Sequence, residues 1–141
     1  AFDALLHDRP DTGNFYYHIL GFGTVPGSGG WMRVLLPRDL RPGDLIVWPR
    51  DQSDEGSSGH IMIVTEAPEG NLEREGELLV RVIDSTTSRH ADDTRGAGET
   101  GLGEGTVGIM TDSAGQATGY FWRGGESRTL QETEMAFARI A

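Results

Sequence analysis

Three short apolar runs, each closed off by turn formers, commit the centre of this chain to a sheet. Asp44-Leu45-Ile46-Val47-Trp48 ends at Pro49, and the turn Pro37 to Gly43 precedes it. His60 to Glu66 is the second strand. Glu77 to Asp84 is the third, with Leu79, Val80, Val82 and Ile83 supplying the bulk that suits a pleated surface. Asp51 to Ser58 reads as a polar loop and Ala67 to Gly76 as an acidic hairpin connection. Short strands joined by hairpins build antiparallel sheets, because antiparallel neighbours need only a tight turn between them.

The flanks extend this pattern. Trp31 to Leu36 is a short edge run. Thr106 to Thr111 and Ala117 to Trp122 flank the turn Asp112-Ser113-Ala114-Gly115, and Met135 to Ile140 makes a last strand. The front, residues 1–22, is helical in pattern. Phe2, Leu5 and Leu6 share one side of a turn. Asp11 and Thr12 can cap a segment from Asn14 to Leu20, which Gly21 and Gly23 end. Ser85 to Gly105 reads as a long polar excursion, loose from Gly96 onward. The 141 residues amount to one domain, 1–141, with a β-rich core over 31–141. The expected class is α+β, with N-terminal helices packed on an antiparallel sheet or partly open barrel of about five to six strands.

Charge narrows the partners. The chain carries 22 acidic residues against 12 basic ones, all arginine, for a net charge of −10. Such a balance disfavours nucleic acid and anionic membrane surfaces, which recruit basic patches. No apolar run approaches the roughly 20 residues of a membrane span. There is no cysteine, hence no disulfide, thiolate metal site or thiol nucleophile.

One constellation carries chemistry. In Gly59-His60-Ile61-Met62-Ile63-Val64 a histidine stands at the mouth of a strand that is apolar on both faces, with His60, Met62 and Val64 on one of them. Alone, such a residue is more often a structural histidine. The third strand, however, ends in Asp84, followed by Ser85-Thr86-Thr87-Ser88. If the two strands pair as a hairpin, His60 and Asp84 lie opposite each other. The carboxylate would then accept the imidazole N–H, select the tautomer and leave the other nitrogen as a base. Asp84 also suits turn capping.

Arg41-Pro42-Gly43-Asp44-Leu45-Ile46-Val47-Trp48, then Gly59-His60-Ile61-Met62-Ile63-Val64, then Val82-Ile83-Asp84-Ser85-Thr86 resembles the core of the NlpC/P60 cysteine peptidases. The resemblance implies a papain-like domain that hydrolyses amide bonds of peptidoglycan stem peptides, in a periplasmic or secreted setting and without cofactor or metal. His60 matches the base, and Asp84 stands where an orienting histidine is commoner. The family's cysteine, at a helix start in a "DCSG"-like motif, has no counterpart here. It is expected upstream of Ala1, in a cysteine-bearing helix outside this chain, so these residues by themselves would be inert. The alternative is a degenerate domain that binds a peptide or glycopeptide in the same cleft. Trp48, Ser58, Gly59 and Ser85 are the candidate substrate contacts. Trp48 could floor a groove, although core filling is the default for tryptophan beside strands, and Ser57-Ser58-Gly59 leaves room for a ligand to approach backbone.

Other candidates weigh less. His90, Asp92 and Asp93 have no second histidine at a ligand spacing, which favours a solvated loop over a metal site. Ser85 to Ser88 lack the Gly-x-Ser-x-Gly elbow of a serine hydrolase. His7 and His18 sit beside aromatic residues as packing or surface positions, and Trp31 shares the reading of Trp48.

Overall fold

Side-chain alternation in the central strands divides the core between two faces of one sheet. In a computed structural model, which describes residues 10–51, 59–123 and 129–141, nine strands form a single antiparallel sheet. They are β1 (Trp31–Val34), β2 (Leu45–Trp48), β3 (His60–Val64), β4 (Glu69–Gly70), β5 (Glu77–Thr86), β6 (Gly101–Thr111), β7 (Ala117–Phe121), β8 (Gln131–Glu132) and β9 (Ala136–Ile140). The order across the sheet is β1-β9-β2-β3-β5-β6-β7-β8, with β4 paired to β5. The single α-helix among the described residues is α1 (Thr12–Leu20).

This corrects the α+β expectation. The described residues form a predominantly antiparallel β structure of nine strands with one nine-residue helix, rather than a helical layer packed on five or six strands. The leading segment around Phe2 and His7 lies outside the described residues. Two physical reasons account for the extra strands. β4 and β8 are two-residue pieces that form only because a longer neighbour offers them a ladder. The second reason is that β6 extends the expected strand at Thr106 to Thr111 back to Gly101, inside the glycine-rich stretch that composition marks as loose.

Glycine weakens a strand in isolation, so β6 needs a tertiary reason to form. Gly103 and Gly105 lie on one face, opposite Asp84 and Val82 of β5. A Cβ at Gly103 would run into the Arg95 side chain. At Gly105 it would lie 2.7 Å from His90 Cβ and 2.9 Å from Asp93 Oδ2. The bare backbone is therefore the floor on which residues 90–95 are laid.

α1 begins where the Asp11 side chain accepts from Asn14 N–H at 2.9 Å and Asn14 Oδ1 accepts from Asp11 N–H at 2.9 Å. The helix buries Tyr16 and Ile19 against Val47, Ala136 and Ala138. The opposite face of the sheet holds the larger cluster, including Ile46, Trp48, Met62, Val64, Val80, Val82, Val107, Ile109 and Phe137. That cluster closes because the sheet curls. Trp48 on β2 stacks on Tyr120 of β7 with ring centroids 4.2 Å apart. These strands are four steps apart in the order, roughly 19 Å in a flat sheet at about 4.8 Å per step.

The Pro42-Gly43-Asp44 turn is held by charge. Buried Asp44 accepts Arg139 Nε at 2.8 Å and Arg139 Nη2 at 2.7 Å, and the Arg41 N–H at 2.7 Å. The bidentate fork ties β9 to the start of β2.

Candidate functional site

β2 and β3 bring the histidine to its neighbours. Trp48 pairs directly with His60 in the ladder, and their rings lie 5.5 Å apart. Gly59, immediately before, has φ +64°, the left-handed region that a Cβ disfavours. There is also no room for one: a Cβ at Gly59 would meet the Thr12 hydroxyl and lie 2.7 Å from Arg50 N. The start of α1 thus abuts the residue that precedes His60.

His60 and Asp84 are not directly opposite, as a simple hairpin would place them. β3 pairs with β5 through Ile63–Ile83 and Val64–Val82, a register that continues to Met62 opposite Asp84. Asp84 is therefore the diagonal neighbour of His60 on the same face, still within reach of a long side chain. His60 Nε2 lies 2.6 Å from Asp84 Oδ2. The carboxylate is fully buried, whereas the imidazole keeps 16% of its side-chain surface in contact with solvent. Among the described residues Nδ1 of His60 has no hydrogen-bond partner.

Asp84 has two further partners that inspection of the sequence passes over. His90 Nε2 reaches the same Oδ2 at 2.8 Å, and Arg95 Nη2 reaches Oδ1 at 2.9 Å. Arg95 also grips Asp93 with Nε and Nη2, both at 2.8 Å, and donates Nη1 to the Gly101 carbonyl at 3.0 Å. Burial pushes the Asp84 carboxyl upward, but the hydrogen bonds from His60 and His90 overcome it and hold the group well below the usual carboxylate range. Asp93 goes the same way: burial opposes, and the Arg95 bond and two backbone N–H groups prevail.

His90 is buried, which corrects its reading as part of a solvated loop. Its ring is tilted against Trp122 at 4.1 Å, and Trp122 also meets the His60 ring edge-on at 5.2 Å. Asp92 is exposed, and among the described residues no cluster of His, Asp or Glu could hold a metal ion.

Ser85 is exposed, and strand alternation turns it to the face opposite Asp84, away from His60. Ser58 lies outside the described residues. The available signal for the missed members is the alternation Gly101, Gly103, Gly105, which marks one face of β6 as room for something else. Naming His90 and Arg95 as the occupants requires the fold.

The chain is 30% identical over 118 residues to an uncharacterized protein of Acanthamoeba polyphaga mimivirus, an alignment covering 72% of this chain and 52% of that protein. The chain thus spans about half the length of the curated relative it matches. No protein-family profile and no solved structure matches it. No helix among the described residues is long and apolar enough to cross a membrane.

Proposed function

We propose that this chain holds the general-base half of an amide-hydrolase site of the NlpC/P60 kind, with His60 as base and Asp84 orienting it. The observation that carries the reading is the 2.6 Å contact from His60 Nε2 to buried Asp84. An ionised carboxylate only accepts, so Nε2 carries the proton and the lone pair stays on Nδ1. In the complete reaction Nδ1 takes the proton of a thiol, the thiolate attacks the amide carbonyl, and the imidazolium protonates the leaving amine. The chain has no cysteine, so it cleaves nothing by this route unaided. Peptidoglycan stem peptides are the substrate class that the resemblance supports.

A second reading, retention of a peptide or glycopeptide without cleavage, is favoured by the aromatic side chains Tyr120 and Trp122, which stay partly exposed beside His60.

Installing the missing thiol tests the base. Thr12, the first residue of α1, contacts Gly59, so Thr12→Cys places sulfur at the helix start beside the strand mouth. Iodoacetamide should alkylate that thiol readily near pH 7, and adding His60→Ala should slow it by roughly tenfold, the equivalent of one pKa unit. The helix start lowers the thiol pKa in both proteins, so their difference isolates the imidazole. Equal rates with and without His60 would remove it as the base. An activated thiol that binds stem peptides without cleaving them would favour the second reading.

A further inference from the structure

We infer that His90 is a buried imidazolium that shares Asp84 with His60 and thereby keeps His60 in its neutral, basic form. The argument is an account of donors and acceptors. His90 Nδ1 lies 3.0 Å from the Trp122 carbonyl oxygen, which can only accept. His90 Nε2 lies 2.8 Å from Asp84 Oδ2. That oxygen also faces His60 Nε2 at 2.6 Å, while Oδ1 faces Arg95 at 2.9 Å. All three contacts call for an ionised acceptor. A neutral His90 would aim a lone pair at one oxygen or the other and forfeit a buried hydrogen bond. Both ring nitrogens therefore donate.

The surroundings suit the charge. Facing the ring are Asp84 from β5, His60 from β3, and Asp93 and Arg95 from its own loop. β6 offers only the backbone of Gly103 and Gly105 at this place. With His90 protonated, two cations and two carboxylates balance inside a region where net charge is costly. The Trp122 ring at 4.1 Å adds a cation–π contact.

The consequence falls on His60. A carboxylate serving one histidine draws a proton onto it. Here Asp84 is already compensated by His90 and Arg95, so it ties down Nε2 and orients the ring without favouring the imidazolium. His90 is thus a positioning residue, and this last step rests on the proposed role of His60 as base.

Long-range ¹H–¹⁵N spectra of the chain at pH 7.5 read the protonation directly. His90 should show two protonated nitrogens with imidazolium shifts, and His60 a neutral ring carrying its proton on Nε2. His90→Gln keeps a donor toward Asp84 but no charge, and in it the His60 ring at pH 7.5 should move toward the imidazolium spectrum. A neutral His90 at pH 7.5 overturns the inference. So does an unchanged His60 spectrum in a folded His90→Gln protein, and should that variant not fold, the spectrum of the parent decides. Neither readout involves a thiol or turnover, so failure here leaves the alkylation test of His60 standing, and the reverse also holds.

Discussion

Arg95→Met removes the guanidinium that closes the polar cluster while keeping an apolar stem over Gly103, where the Arg95 chain now lies. The lost contacts are the two-pronged grip on Asp93, the bond to Asp84 and the bond to the Gly101 carbonyl. Arg95 and both carboxylate side chains are almost entirely buried. Solvent screening therefore does not soften the change, and the variant leaves two carboxylates facing one imidazolium. Breaking a buried ion pair from one side costs about 3–5 kcal/mol. At roughly 3–5 °C per kcal/mol for a chain of this size, Tm should fall by about 9–25 °C. The pH dependence makes the prediction specific. Asp84 and Asp93 are held below their unfolded value, so they contribute stability above about pH 4 that is lost as pH falls through their folded values. Arg95 is the chief cause of the Asp93 depression, so the deficit of Arg95→Met should be greatest at pH 7 and should shrink as the solution is acidified. Urea unfolding followed by circular dichroism from pH 7 to 2 measures both. A loss below about 1 kcal/mol at pH 7, or a deficit constant with pH, would refute the reasoning, since a buried charge imbalance predicts neither.

Two further changes probe the fold around the site. Gly105→Ala puts a methyl group 2.7 Å from His90 Cβ, and overpacking of this kind costs about 1–3 kcal/mol; a thermal melt indistinguishable from the parent would mean that residues 90–95 are not seated on β6. Tyr16 donates to Glu134 at 3.0 Å, and burial together with that acceptor pushes its hydroxyl up to about 12. A phenol raised in this way stabilises below about pH 10 and loses the contribution as pH rises toward its folded value. Tyr16→Phe should therefore cost about 1 kcal/mol at pH 7 and show a flatter alkaline limb than the parent in urea titrations from pH 9 to 11.5; coincident limbs would exclude the contact.

Local pattern was enough to place most of the elements. The run Leu45–Trp48 could only be a strand, since its apolar residues stop at a proline, and the structure carries β2 over those residues. The Asp11 cap is equally local: a short acceptor facing backbone N–H groups three residues on needs nothing from the rest of the chain. His60 and Asp84 could be singled out because each ends an apolar strand with a titratable group, and strand parity puts both on one face in either of two registers.

What exceeded the sequence was everything set by contacts between distant residues. The strand content exceeded the expectation because the glycine-rich first half of β6 and the two-residue strands owe their existence to neighbours rather than to their own propensity. The diagonal placement of Asp84 depends on how β3 meets β5, which the residues between them do not specify. Trp48 and Tyr120 meet only because the sheet curls. Local pattern set which residues could form strands, where α1 starts and that a histidine and a carboxylate share an end of the sheet, because these follow from nearest-neighbour sterics and side-chain parity. That Asp84 serves two histidines and an arginine follows from the folded chain alone, because a hydrogen-bond acceptor's partners are chosen by distance in space, and residues 90–95 reach it across a floor of glycines on another strand.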